Sequence, residues 1–255
     1  MSVIALLTDF GYKDGFVGAV KGVIKSINKD AEVVDISHGI ASFNILEGAL
    51  VLNAVYRYFP EKTIFMCVVD PGVGTNRRPI LIETERYFFV APDNGLLSIA
   101  LKNEKIKGIY HLSNENYFLK RDTDTFHGRD IFAPVSAYLS IGVNPGELGS
   151  EIEGYVELPF PEPVMEDGFL KGKIVMFDKF GNGITNIPQL PDRFSQIIVK
   201  DLKIKKICRN FLEGEENSLN LIKGSFGFYE IFVPQKSAKD MFNLNIGDEI
   251  KIKLE

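Results

Sequence analysis

Two aspartates, Asp9 and Asp70, each stand directly after an apolar run, VIALLT (3–8) and TIFMCVV (63–69). Carboxylates at the ends of buried strands suit ribose hydroxyls, a metal ion or a cationic ligand. Asp14 follows closely after the first run, in GYKDGFVG (11–18). DPGVGTNRR (70–78) makes a rigid turn from a proline and two glycines and then offers Arg77 and Arg78. FHGRD (126–130) places His127 just ahead of a helical pattern. Each has an ordinary alternative: a capping aspartate, solvated arginines, a helix-start histidine. Two strand-end aspartates together favour a site.

Scarcity narrows the chemistry further. The chain holds three histidines, His38, His111 and His127, two cysteines, Cys67 and Cys208, and no tryptophan among 255 residues. A Cys-rich zinc site cannot be assembled from two thiols, and so few cysteines fit a reducing compartment. His38, after EVVDIS, can reach the same sheet edge as Asp9, while His111 reads as surface. No phosphate-binding G-x-G-x-x-G or G-x-x-x-x-G-K-[ST] follows any strand, so the first turn offers carboxylates and no pyrophosphate cradle.

The formal net charge is -5, concentrated before residue 159, where 15 Lys and Arg face 20 Asp and Glu. That sign argues against a nucleic-acid partner. No apolar run approaches the ~18 residues a bilayer span needs, and no charged leader with a cleavage site opens the chain. A cytoplasmic protein with no membrane partner is the expectation.

The elements that must position these residues alternate in type. Residues 3–8, 32–36 and 63–69 read as buried strands; 15–28 and 44–59 carry helical spacing, the latter stopped by Pro60. This rhythm predicts a three-layer α/β/α domain around a mainly parallel sheet. Residues 79–84 and 86–90 read as strands around a tight turn, and 94–101 and 130–139 as helices. Three prolines in LPFPEP (158–163) break the pattern, which sets domains at 1–158 and 159–255. Beyond them, 168–177, 196–204, 219–233 and 249–254 read as strands of a small all-β domain.

TDFGYKDGFVGAVKGVI (8–24), VVDPGVGTNRR (68–78), APDNGLL (91–97), FHGRDIFAP (126–134), FGNGITNI (180–187) and GSFGFYEI (224–231) together resemble the S-adenosylmethionine hydroxide adenosyltransferases. These are adenosine-forming S-adenosylmethionine hydrolases, related to fluorinating and chlorinating enzymes. The blocks run in family order across nearly the whole chain. The resemblance implies an N-terminal α/β domain, a C-terminal β-barrel-like domain, and a homotrimer with substrate held between neighbouring subunits. It implies no cofactor, S-adenosylmethionine being the substrate.

Residue by residue, it implies a water-activating set of Asp70, Arg77 and His127. Asp9 matches the carboxylate that holds the ribose hydroxyls, and Asp14 and Asp178 match positions near the methionine amino group. Phe43 matches an aromatic pocket wall where the fluorinases carry tryptophan, and Asn182 matches an adenine contact. Ser225, Glu230 and Val233 match C-terminal contacts to methionine or adenine, although FVPQKSA (232–238) departs from the usual continuation. Fluorinating relatives carry tyrosine at the positions of Asp70 and His127, a halide-contacting serine at that of Gly128, and an insertion absent here. These departures point away from fluorination; chlorination is less cleanly excluded by them.

The implied reaction is attack of water on ribose C5′ with methionine leaving as a neutral thioether. No general acid is needed on that side, so the task is to orient and activate water. Arg77 cannot act as a base but can stabilise hydroxide character; His127 or Asp70 could take the proton, and sequence leaves the two open. The alternatives are a chlorinase, a non-catalytic S-adenosylmethionine or adenosine binder, and a metal hydrolase using Asp9, Asp70, His127 and Asp130.

Overall fold

The computed structural model describes residues 2–255. By internal contacts it divides into two units, Met1–Pro159 and Phe160–Glu255.

The first unit is built on a seven-stranded sheet of its described residues, ordered β2-β1-β3-β5-β4-β6-β7. Its strands are β1 (Val3–Thr8), β2 (Glu32–Ser37), β3 (Ile64–Val68), β4 (Pro79–Thr84), β5 (Phe88–Pro92), β6 (Ile106–Leu112) and β7 (Gly149–Glu151). Helices α1 (Phe16–Ile27), α2 (Ile45–Val55), α3 (Ser98–Leu101), α4 (Ala133–Ser140) and α5 (Pro145–Leu148) connect them. Period-two geometry explains why β1 and β3 show no polar alternation. Ile4, Leu6, Met66 and Val68 face one core with Val20 and Ile24 of α1 and Val135 of α4. Ala5, Leu7, Phe65 and Cys67 face a second core with Leu52 of α2 and Ala100 of α3. The sheet is therefore the middle layer of three.

The parallel part joins β2, β1, β3 and β5. The expected tight turn folds β4 back on β5, and β6 and β7 continue antiparallel from there. The parallel core is thus extended by an antiparallel half. Thr8 lies beside Val68 in the β1–β3 register, so the chain leaves both strands at one sheet edge, carrying Asp9 and Asp70 with it.

The second unit is all-β apart from short helical turns such as α6 (Ala238–Met241). Its strands are β8 (Val164–Glu166), β9 (Phe169–Phe177), β10 (Gly183–Thr185), β11 (Phe194–Val199), β12 (Leu202–Lys203), β13 (Ile207–Cys208), β14 (Asn220–Lys223), β15 (Tyr229–Phe232) and β16 (Glu249–Leu254). They form one nine-stranded, curled half-barrel sheet with Ile174, Leu221, Ile231, Ile250 and Ile252 inside. The single run expected at 219–233 is a hairpin of β14 and β15, broken at Gly224–Phe228. Among the described residues no helix is long and apolar enough to cross a membrane.

Candidate active site

Asp9 extends β1 by one residue. Its Oδ2 accepts a 2.8 Å hydrogen bond from the backbone N–H of Phe43. Phe43 takes φ 66°, a conformation a bulky non-glycine residue adopts only under constraint. The constraint comes from the next residues: Asn44 caps α2 by accepting from Glu47 N–H, and Glu47 reaches back to Asn44 and to Ala41 N–H. This reciprocal cap fixes the entry to α2 and presents Phe43, 67% exposed, beside Asp9.

Asp70 follows β3 by the same logic and meets Arg77 across the turn. Arg77 Nε donates to Asp70 Oδ1 at 2.9 Å and to Oδ2 at 3.0 Å, and Nη2 also donates to Oδ2. Gly74 has φ 76°, and a Cβ there would meet the Asp124 carbonyl oxygen at 2.9 Å. Glycine is therefore needed for both the turn and the close approach of the loop that carries His127. Arg78 turns elsewhere, pairing with buried Asp93 at 2.5 Å.

His127 opens a single π-helical turn, Gly128–Phe132, that runs into α4. Such turns cluster at functional sites because they re-aim one side chain against the regular helix. Arg77 Nη2 lies 2.7 Å from His127 Nδ1. A guanidinium only donates, so Nδ1 accepts and the neutral ring carries its proton on Nε2. Burial, and then the charge of Arg77, lower the His127 pKa below its ordinary 6.5, which favours that neutral ring. Nε2 is buried without a hydrogen-bond partner among the described residues, 3.6 Å from Asp124 Oδ1.

Asp9, Phe43, Asp70 and His127 line one cavity of about 310 Å³, with Phe10 and Gly128 in its wall. Arg77 does not border it; it stands behind Asp70 and His127 and holds both. Asp14 is exposed and lines neither this cavity nor the one described next. Asp130, weighed as a metal ligand, is taken by Arg129 through bonds of 2.6 and 3.0 Å. Among the described residues, no three His, Cys, Asp or Glu converge as a metal site requires.

The second unit carries its own cavity of about 830 Å³, lined by Asp178, Asn182, Ser225, Glu230 and Val233. Asp178 Oδ1 accepts from Phe180 and Asn182 N–H, and its Oδ2 accepts from Asn182 Nδ2 at 2.8 Å. Glu230 is 4% exposed, and burial followed by the charge of Asp178 raises its pKa to about 7. Arg209, Phe180 and Phe211 also line this cavity. Phe180 lies in the FGNGITNI segment; Arg209 and Phe211 lie in CRNFLEG, where no periodicity or motif marks them.

The profile of the SAM hydroxide adenosyltransferase N-terminal domain matches residues 4–149, and that of its C-terminal domain matches residues 172–251. The chain belongs to the S-adenosylmethionine hydroxide adenosyltransferase family, a family of enzymes. It is 36% identical to the (R)-S-adenosyl-L-methionine hydrolase of Methanocaldococcus jannaschii, over 99% of this chain and 96% of that one. A fluorinase of Actinopolyspora mzabensis is 29% identical over 72% of this chain and 71% of its own. An uncharacterized conserved protein from Thermotoga maritima has the same fold, at TM-score 0.89 and 36% identity, covering 98% of this chain and 99% of that one. For an adenosyltransferase family member, carboxylates in both cavities suit a substrate that is itself a cation.

Proposed function

We propose that this protein hydrolyses S-adenosyl-L-methionine to adenosine and L-methionine. The observation that carries the reading is the Asp70–Arg77–His127 chain of hydrogen bonds at a cavity that also holds Asp9. Asp9 holds the ribose hydroxyls, and Asp70 and His127 stand where water would be oriented toward C5′. The attacking oxygen forms its bond to C5′ as the C5′–S bond breaks and its electron pair returns to sulfur. A neutral thioether leaves a sulfonium, so the leaving side needs no proton.

The water's proton goes to Asp70. The neutral His127 ring has its one lone pair committed to Arg77, so it presents N–H and orients. Asp70 Oδ1 accepts only from Arg77 Nε and keeps a lone pair. Arg77 supplies fixed positive charge behind both groups, which stabilises developing hydroxide character without reorganisation.

The second cavity supplies Asp178, Asn182, Ser225, Glu230 and Val233 for the methionine and adenine ends. We assign the working form to a cytoplasmic homotrimer, in which the N-terminal unit of one subunit completes the C-terminal unit of the next. Asp14, exposed in the single chain, would serve the amino group in that assembly. No cofactor or metal enters the scheme, and no nucleic acid or membrane partner.

The test is incubation with S-adenosylmethionine, with and without chloride and with a chelator, followed by product analysis. Adenosine and methionine in equal amounts, undiminished by chelation, are expected, and His127→Ala should nearly abolish them. Unconsumed substrate would leave a binding protein; 5′-chloro-5′-deoxyadenosine in chloride would make it a halide transferase. Loss of activity on chelation would restore a metal mechanism.

A further inference from the structure

His38 is 3% exposed and lies outside both cavities, and its side chain packs against the end of β1. It follows β2, where the register with β1 shifts between Leu6 and Leu7. Such a shift re-aims the following side chains, and here it brings the ring against the end of β1. Thr8 Oγ1 lies 2.7 Å from His38 Nδ1, and Asp35 Oδ1 lies 3.1 Å from Nε2. Asp35 Oδ2 also takes Lys21 Nζ at 2.7 Å and the Tyr12 hydroxyl at 3.1 Å.

Nε2 and Asp35 Oδ1 lie close but make no hydrogen bond, so the ring's side-chain hydrogen bond is the one between Nδ1 and the Thr8 hydroxyl, in which either group can donate according to the tautomer. The oxygen of that hydroxyl also accepts from Phe10 N–H, at 3.2 Å. The His38 carbonyl meanwhile accepts from Gly11 N–H at 2.8 Å, and the Tyr12 ring stands edge-on to the imidazole at 5.3 Å. Residues 8–12 are therefore tied to the end of β2 on both sides of Asp9.

We propose that His38 is a positioning residue for Asp9: through Thr8 it fixes the strand end that aims the Asp9 carboxylate into the cavity. The proposal rests on Asp9 as the ribose carboxylate. His38 touches no substrate, and its effect is confined to how sharply Asp9 distinguishes a hydroxyl from its absence.

The experiment compares S-adenosylmethionine with its 2′-deoxyribose analogue in wild type, His38→Ala, His38→Asn, His38→Gln and Thr8→Val. In wild type the ratio of the two kcat/KM values measures the Asp9 contact. His38→Ala and Thr8→Val should lower that ratio by about tenfold, the worth of one well-placed hydrogen bond. His38→Asn keeps a hydrogen-bonding group near the place of Nδ1 and should recover most of it, whereas His38→Gln should not. Equal slowing of both substrates, with the ratio unchanged, would show a merely structural role and overturn the assignment. Amide exchange at Phe10 reads the same positioning without turnover: it should quicken in His38→Ala and in Thr8→Val, and unchanged protection in both would also overturn it. Wild type that leaves S-adenosylmethionine intact would defeat the functional reading alone, and exchange would still decide the role of His38.

Discussion

The Glu230 carboxyl rests directly over Gly224: a Cβ built on that glycine would stand 1.7 Å from Oε1. Gly224 directly follows β14 and Glu230 belongs to β15, so the hairpin itself presses a carboxyl against backbone in the wall of the larger cavity. Burial there, with Asp178 nearby, raises the Glu230 pKa from an ordinary 4.5 to about 7. The folded state thus binds this proton more tightly than the unfolded one, and the group's contribution to stability falls as pH rises from 4.5 through 7. Glu230→Gln should raise the melting temperature at pH 8 by roughly 2–6 °C and change little at pH 4. It should also remove a rise in S-adenosylmethionine affinity between pH 6 and pH 8, because only the ionised carboxylate attracts the cation. Calorimetry across that range in both proteins checks it; parallel pH curves would show that Glu230 does not meet the charge.

His127 shifts the other way. Its burial, and next the Arg77 charge, disfavour imidazolium, so its folded pKa lies below 6.5. Stability from this group is present above pH 6.5 and is lost as pH falls through the lower folded value. Hydrolysis should therefore hold level from pH 8 down to 6.5 and fail only at lower pH. Nitrogen-labelled histidine spectra should show His127 neutral at pH 7 with its proton on Nε2. A midpoint above 6.5, or a proton on Nδ1, would contradict the Arg77–His127 hydrogen bond.

Arg77→Lys separates charge from geometry. Lysine keeps the positive charge but cannot donate to both Asp70 oxygens and to His127 Nδ1 at once. Because Arg77 stands behind the cavity, kcat should drop about 100-fold while KM changes little. Steady-state kinetics decide it; a comparable rise in KM would place Arg77 against the substrate instead.

Much of this site is legible in the sequence. Asp9 and Asp70 were marked by the apolar runs they terminate, because a strand buried on both faces has to end where its first carboxylate meets water. Arg77 stood apart from Arg78 only through resemblance; in space Arg78 is consumed by Asp93, a pairing across 15 positions that no local pattern encodes. The antiparallel half of the sheet was half-visible: the turn between β4 and β5 could be read, but the return of β6 beside β4 is a long-range choice. Arg209 and Phe211 left no trace, since cavity-lining residues on an irregular segment carry no period. His38 stands out in the sequence only by its position after β2, and its meaning depends on a register shift that sequence does not display.

Gly128 offers the sharpest test of the choice between water and halide. A Cβ at this position would meet the Phe10 ring at 2.9 Å and the Phe126 ring at 3.1 Å. Phe10 and Phe126 already pack edge to face at 5.5 Å, so neither ring gives way without disturbing the other. Gly128→Ser should cost about 1–2 kcal/mol of stability through this overpacking. It should also slow hydrolysis, because Phe10 follows Asp9 in the same cavity wall. The added hydroxyl should not confer chloride transfer, since Asp70 and His127 would still hold water beside C5′. Product analysis in high chloride, with thermal melts alongside, reads both effects. Appearance of 5′-chloro-5′-deoxyadenosine in Gly128→Ser would mean that a single hydroxyl, and not the Asp70–Arg77–His127 chain, decides the nucleophile.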